Sequence, residues 1–477
     1  MLLKNIHHDY GYHTQKIAII FFPLEKIQFD TSDSIEVITA QNGDTLTAEV
    51  KLFDRRQTAS YTVGSDEDRA MALSLLLYRL LANMTGFCPP WGVLYGVRPA
   101  RLMHAKTELL GEEGARAFFK NSRVQENKID LAVQVMHREN RIIALSQPNS
   151  FSLYVSIPFC PSRCAYCSFV SHAIENTHKL MDAYIDLLCR ELAEKAAIAD
   201  RLGLQLETVY FGGGTPTTLS AQQLDRILTT VATHFDLTHL REYTVEAGRP
   251  DTVTEEKLLT LLRHGVGRIS INPQTFNDEV LQAIGRKHTV AQVHEAFDLA
   301  RSLGFDNVNM DLIAGLNSDT LPSFQNSVDT AVALGAESVT VHNLALKSAA
   351  YLVTENEYFD NTQKNLTAEM IDYSYRKLSA SGYVPYYMYR QSKSLGNLEN
   401  VGWCREGKEC LYNVFMMDET HTVLAAGAGA VTKLVDRPGG RLERIYNYKY
   451  PYEYIDHFDT VLERQEKITA FYTKQGN

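Results

Sequence analysis

The sequence predicts an α/β protein: a partial barrel of six β–α units, preceded by an α+β domain and followed by an accessory region. Three observations predict it. Between residues 151 and 345, short apolar runs alternate with segments of helical spacing, the pattern of strands buried on both faces and joined by crossover helices. Before that stretch, strand-like runs come first and helical ones after, as in an α+β unit. Beyond it the alternation fades. The expected divisions are 1–147, 148–345 and 346–477.

In the first region IAIIFFP (17–23), SIEVITA (34–40) and TAEVKLF (47–53) have strand character, and Gln41, Asn42, Gly43 and Asp44 supply a turn between the last two. Helical patterns follow in DEDRAMALSLLLYRLLANMTG and KIDLAVQVMHRENRIIAL. Between them lies PPWGVLYGVRPARL, punctuated by Gly and Pro. Gln147, Pro148 and Asn149 mark a break.

The barrel strands are expected at LYVSI (153–157), TVYF (208–211), YTVEA (243–247), RISIN (268–272), NVNMDLI (307–313) and SVTVHNL (338–344). Helical segments such as LMDAYIDLLCRELAEKAAIADRL and LDRILTTVATHF separate them. Strand–helix units in series imply a parallel sheet with right-handed crossovers. In such barrels ligands bind at the C-terminal strand ends.

In the last region YVPYYMYRQSKSLGNLENVGW combines tyrosines with turn residues, and AAGAGAVTK is a run of small residues. This region is expected to pack against the barrel mouth. Its tyrosines suit either a partly polar binding surface or a packing layer.

A chain of 477 residues exceeds the usual single domain, and 45% hydrophobic with 22% charged residues is ordinary for a globular protein. A net charge of −10 argues against a general nucleic-acid footprint. No window approaches about 18 uninterrupted apolar residues, so no membrane span is expected. MLLKNIHHDYGYH lacks the apolar run of a signal peptide. Seven cysteines is an odd count, and three of them crowd together. That usage reads as thiolate metal binding in a reducing cytoplasm, not as a disulfide framework.

The crowded segment is YVSIPFCPSRCAYCSF, with Cys160, Cys164 and Cys167 at Cys-x3-Cys-x2-Cys. Three thiolates in a short loop can ligate three irons of a [4Fe–4S] cubane and leave the fourth iron open. Pro158 and Pro161 stiffen the loop after the strand. The competing reading is zinc, which usually takes four ligands. No second cysteine pair stands nearby, and His172 is the candidate for a fourth.

With these residues in place, the stretch resembles the radical S-adenosylmethionine (SAM) superfamily. More narrowly, it is similar to the branch holding oxygen-independent coproporphyrinogen III dehydrogenase and the related haem chaperones. The resemblance covers residues 150–345 well and 380–435 loosely. Together with YGVRPARL (95–102), the N-terminal region points to the alternative coproporphyrinogen dehydrogenase subgroup.

The resemblance implies a radical SAM partial barrel that holds a [4Fe–4S] cluster and S-adenosyl-L-methionine. Electron transfer into the sulfonium then releases a 5′-deoxyadenosyl radical. Phe211-Gly212-Gly213-Gly214-Thr215-Pro216 matches the segment that contacts the SAM amino group; glycines allow a close backbone approach. Glu246 in VEAGRPDT matches a carboxylate for the ammonium or a ribose hydroxyl. Gln274 in ISINPQTF and Asp311 in MDLIAGL match ribose contacts, and Arg286 in IGRKHT matches a partner of the methionine carboxylate. Tyr154 matches a tyrosine beside the sulfonium and is the candidate catalytic residue. The bland alternative for each polar residue is a strand-end group, and for Tyr154 plain core.

The chain departs from both relatives. Phe169 stands where the dehydrogenase has a fourth cysteine, and Ser156 where a histidine precedes Ile-Pro-Phe. The chaperone signature is half present: His342 and Asn343 are followed by Leu344, Ala345, Leu346 and Lys347. Cys404 and Cys410 read as ordinary thiols or as ligands of a second centre, and Cys88 and Cys189 as packing residues. Arg98, Arg390 and Lys393 read as solvated cations or as propionate contacts. The resemblance implies a tetrapyrrole substrate, coproporphyrinogen III or haem, and a reducing electron donor such as flavodoxin or ferredoxin. The leading function is oxidative decarboxylation of coproporphyrinogen III to protoporphyrinogen IX. The alternatives are a haem-binding chaperone and radical-driven haem modification or degradation.

Overall fold

The computed structural model describes residues 1–167, 172–173, 177–345, 361–436 and 439–473. The N-terminal part contains β1 (Leu2–Ile6), α1 (Gly11–Phe21), β2 (Ile35–Asn42), β3 (Thr45–Leu52), β4 (Arg55–Thr62) and α2 (Arg69–Thr85). The strands form a sheet in the order β1-β2-β3-β4, with β1 parallel to β2 and the other pairs antiparallel. The run IAIIFFP, expected as a strand, is instead the end of α1. Thr14, Ile17, Ala18 and Phe21 are buried at spacings of three, one and three, which is a helical stripe. A short apolar run does not by itself separate the two periodicities.

Two further helices follow, α3 (Pro99–Asn121) and α4 (Glu126–Ile143). Their inner faces, including Met103, Phe119, Leu131 and Val135, belong to the core of the barrel and not to that of the N-terminal sheet. The α3 helix had no clear sequence signal. Its N-cap is Arg98, which makes no side-chain cap, and Gly111 kinks it at φ +73°.

The barrel comprises β5 (Ser150–Ile157), β6 (Phe159–Cys160), β7 (His172–Ala173), α5 (Met181–Arg201), β8 (Gln205–Gly213), α6 (Ala221–His234), β9 (Glu242–Glu246), α7 (Glu255–Arg263), β10 (Arg268–Ser270), α8 (Asp278–Ala283), α9 (Val290–Ser302), β11 (Val308–Ala314), α10 (Leu321–Leu334) and β12 (Ser338–Asn343). All six expected strands are present and parallel, adjacent in the order β5-β8-β9-β10-β11-β12. Leu153, Val155, Val209, Phe211, Val245 and Ile269 are fully buried, as strands covered by crossover helices require.

The C-terminal part holds α11 (Asn361–Ala380), β13 (Val384–Arg390), β14 (Glu399–Cys404), α12 (Leu411–Asp418), β15 (Thr422–Ala426), β16 (Val431–Asp436), β17 (Arg441–Tyr446) and three short helices between Pro451 and Thr473. Its strands extend both edges of the barrel sheet. β14 pairs antiparallel with β12 and carries β13; β15 pairs parallel with β5 and carries β16 and β17. The small residues of AAGAGA explain themselves here. Gly427 has φ +99°, and a Cβ on it would overlap the Tyr184 hydroxyl and the Ser156 carbonyl of β5.

A buried charge pair ties α4 to this sheet. Lys128 Nζ and Trp91 Nε1 donate to the Glu399 carboxylate at 2.8 and 2.7 Å. Burial alone would raise the Glu399 carboxyl, but Lys128 and Trp91 hold it below its usual range. Removing one partner of a buried pair strands the other charge. Lys128→Met is therefore expected to cost about 3–5 kcal/mol, read as a lower midpoint in denaturant unfolding.

Candidate active site

The C-terminal ends of the parallel strands open onto a cavity of ≈ 320 Å³. Cys160, Cys164 and Cys167 line it, as do Gly213 at the end of β8, Gly214 and Thr215 just after it, and Glu246 at the end of β9. Gln274 and Arg286 reach it from the segment after β10, and Asp311 from β11. The structure thus brings together the expected thiols, glycines, carboxylates, amide and guanidinium. Gly212 and Tyr154 lie off this lining.

The cysteine loop is clamped from two sides. On one, Gly214 N donates to Ile157 O at 2.7 Å, Thr215 N to Phe159 O at 2.8 Å and Thr215 Oγ1 to Cys160 Sγ at 3.5 Å. A Cβ on Gly214 would stand 2.5 Å from Phe159 O and 3.0 Å from Cys160 Sγ, so only glycine fits. On the other side, Ala165 N donates to Ile284 O at 3.0 Å, and Arg249 Nη1 to Ser162 Oγ at 3.0 Å. Arg286 Nη2 donates to Tyr166 Oη at 3.2 Å and Nη1 to Asn272 O at 2.7 Å. None of the seven cysteines is in a disulfide. Among the described residues no three His, Cys, Asp or Glu side chains converge on a single-ion point.

Polar groups continue the lining. Glu246 accepts a 2.6 Å bond from Tyr210. Asp311 accepts from Asn309 at 2.8 Å and lies 3.7 Å from His342 Nε2, while His342 Nδ1 is 3.3 Å from Tyr389 Oη. Burial would raise Asp311, but the His342 and Asn309 contacts hold it below its usual range. Gln274 adopts φ +69°, a strained conformation for a residue with a Cβ, and its backbone bonds both Asp311 O and Ile313 N. That strain presents Gln274 at the cavity next to Asp311. Arg249 is locked by Asp251 through two 2.9 Å bonds.

The donor set fits a cluster with an amino-acid nucleoside beside it. One cavity gathers three thiols, the Gly213–Thr215 backbone, the Glu246 and Asp311 carboxylates, the Arg286 guanidinium beside the cysteine loop and the Gln274 amide, groups suited to a carboxylate, an ammonium and a ribose. Four lining residues also keep a buried polar atom without a hydrogen-bond partner: Arg268 Nε, Ser270 Oγ, Arg286 Nε and Asn343 Oδ1.

The structure adds Tyr166, Tyr210, Arg249, Arg268 and Asn272 to the lining and places His342 there. Tyr154 stacks with Tyr210 and Tyr412, at 6.2 and 6.1 Å between centroids, and lines a neighbouring cavity instead. Ser156 Oγ is buried and donates to Ala428 O at 2.8 Å. Phe169, Leu346 and Lys347 lie outside the described residues. Cys404 and Cys410 are buried thiols, both pushed up by burial, and Cys410 donates to Glu242. Cys88, expected as a packing residue, is exposed just beyond α2. Arg390 is buried, donating to Leu94 O and stacking over Trp91. Lys393 is exposed, and Arg98 pairs with Glu419.

Burial raises the Glu246 carboxyl to about 7, with the Tyr210 bond opposing and the Asp311 charge adding. A carboxyl raised in the folded state destabilises it progressively as pH climbs from the usual 4.5 to about 7, and by a constant amount above. Without added nucleoside, Glu246→Gln is expected to remove that dependence. Its stability relative to the parent rises by on the order of 1–3 kcal/mol across the window, measured by denaturant unfolding at a series of pH values.

A model of the radical SAM superfamily matches residues 154–331. The chain is 36% identical to the oxygen-independent coproporphyrinogen-III oxidase-like protein HemZ of Bacillus subtilis, over 84% of this chain and 82% of that one. It is also 36% identical to the haem chaperone HemW of Lactococcus lactis, over 51% of this chain and 62% of that one. The solved structure of coproporphyrinogen III oxidase HemN from Escherichia coli shares the fold. Its TM-score is 0.53, with 22% identity over 68% of this chain and 72% of that one. No helix among the described residues is long and apolar enough to cross a membrane. The superfamily uses a [4Fe–4S] cluster and S-adenosylmethionine. With its cysteine loop, glycine turn and strand-end carboxylates around one cavity, the chain belongs to the radical SAM enzymes, in the coproporphyrinogen oxidase-like branch.

Proposed function

We propose that this chain converts coproporphyrinogen III to protoporphyrinogen IX without oxygen, by oxidative decarboxylation. The observation that carries the reading is one convergence. The match to an oxidase-like relative spans 84% of the chain, and the thiols and the candidate SAM-binding side chains line one cavity.

In this reading Cys160, Cys164 and Cys167 would hold a [4Fe–4S] cluster as thiolates, next to the groups that would hold S-adenosylmethionine. When bound, that pair supplies a carbon radical able to remove a hydrogen atom from a propionate. Glu246 and the Gly213–Thr215 edge take the ammonium, Arg286 the carboxylate, and Gln274 and Asp311 the ribose. An ammonium beside Glu246 favours its ionised form, so binding draws that carboxyl back toward its usual range. Asp311, kept ionised by His342 and Asn309, offers a fixed acceptor. Each reacting propionate then gives a vinyl group, CO2, the abstracted hydrogen atom and one electron for an external acceptor. A flavodoxin- or ferredoxin-type donor supplies the electron that starts each turnover.

A second reading, haem carriage, is favoured by the chaperone relatives and by Phe169, which stands where the dehydrogenase has a fourth cysteine. One anaerobic incubation of reconstituted protein with coproporphyrinogen III, S-adenosylmethionine and reductant separates them. The expected products are the divinyl porphyrinogen and 5′-deoxyadenosine by mass spectrometry. Absence of both, with stoichiometric haem binding, would select the carrier. Replacing Cys160, Cys164 or Cys167 by Ala is expected to lower bound iron and sulfide and to abolish both products.

A further inference from the structure

Beyond the tyrosines that close one side of the active-site cavity lies a second one of ≈ 410 Å³. Tyr154, Tyr412, Met416 and Tyr446 give it an aromatic and apolar wall, and Lys433 and Arg444 its charge. Stacked tyrosine rings part the two cavities. Tyr210 lines the first, Tyr154 and Tyr412 line the second, and Tyr210 and Tyr412 stack at 4.6 Å between centroids.

The charges here break local rules of stability. Lys433 of β16 and Arg444 of β17 are direct cross-strand neighbours, a destabilising like-charge pair. Arg98 and Arg101 occupy the N-terminus of α3, the end where cations are disfavoured by the helix dipole. All four turn to one carboxylate, Glu419, at 3.8, 3.4, 2.7 and 2.5 Å for Lys433, Arg444, Arg98 and Arg101. The adjacent Asp418 accepts from Thr420 instead. Burial and the three arginines push the Lys433 ammonium down to about 8 despite Glu419, the behaviour of a cluster short of negative charge. Glu419 itself sits at φ +63°, so its backbone is strained. Local violations of this kind persist where a ligand uses them. Tyr446, 60% exposed, stands at this wall directly across from Val431, on the same face as the two cations.

An apolar, aromatic wall with a surplus of cations suits a broad ring that carries carboxylates on its edge. We propose that this second cavity anchors the peripheral carboxylates of the tetrapyrrole, with Lys433 and Arg444 as direct contacts and Arg98 and Arg101 as supporting charges. The inference rests on the tetrapyrrole reading above. It places the anchored carboxylates on the far side of the Tyr210–Tyr412 stack from the cofactor cavity, leaves the reacting propionate to the cofactor side, and gives Tyr154 a substrate-side position.

The test uses the full chain and coproporphyrin III, the stable oxidised tetracarboxylate, in a fluorescence titration. Lys433→Gln with Arg444→Gln is expected to weaken porphyrin binding on the order of tenfold or more, and Tyr446→Ala to weaken it less. S-adenosylmethionine affinity of the reconstituted protein stays at the parent value, which shows that the barrel is intact. Unchanged porphyrin affinity in the double variant would overturn the anchoring site while leaving the proposed function standing. No porphyrin binding by the parent chain would overturn both. Should the double variant lose S-adenosylmethionine binding too, Arg444→Gln alone, at a half-exposed position, decides by the same criterion.

Discussion

The close approach of the β8 turn to the cysteine loop is the contact on which the rest of the site depends. Gly214 and Thr215 bond the carbonyls of Ile157 and Phe159, on either side of Pro158. Any side chain at 214 would enter the space of Phe159 O and Cys160 Sγ. The glycine run therefore does two things at once. It exposes a backbone edge to the cavity, and it fixes the first thiol against the second strand. A segment after β10 fixes the loop from the other side through Ile284 and Arg286. The three-thiol loop is thereby held by two other strand ends, and its geometry is set by the sheet.

Much of the barrel was legible because its physics is local. Each strand is a short apolar run covered on both faces, and each is followed by a helical stripe. What escaped was non-local or locally unmarked. The strands after residue 380 join opposite edges of one sheet, β14 beside β12 and β15 beside β5, and no periodicity within them specifies a partner. The α3 helix begins at Pro99 behind an uncapped Arg98 and bends at Gly111, so proline alone marks its start and its stripe is interrupted. IAIIFFP carried a strong apolar signal of the wrong period for the length inspected, and burial at Thr14, Ile17 and Phe21 resolves it as a helix.

The site was legible in its motifs and less so in its walls. Cys160, Cys164, Cys167, Gly213, Gly214, Thr215, Glu246, Gln274, Arg286 and Asp311 meet at one cavity. The residues missed did leave a signal, namely polar side chains at alternate positions inside strands otherwise apolar. Arg268, Ser270 and Asn272 follow that period, as do Asn309 with Asp311 and Thr340 with His342, and all of them line the cavity. In a strand buried on both faces, a polar residue at every second position marks the face that meets a ligand rather than a helix. Tyr154 obeys the same alternation but lies on a strand nearer the β17 edge, so it faces the neighbouring cavity.

That shared face also sorts charge along its length. The cavity by the cysteines mixes carboxylates with guanidinium groups, which matches a zwitterion carrying ribose hydroxyls. The cavity toward β17 shows only cations in its wall, which matches a polyanion. The tyrosine layer between them separates two different electrostatic environments. Tyr210 belongs to both: its ring stacks on Tyr412 while its hydroxyl donates to Glu246. Displacing that ring would remove the bond that keeps the Glu246 carboxyl from rising further. Tyr210 is thus the side chain that joins the tyrosine partition to the Glu246 carboxylate, through a single hydrogen bond.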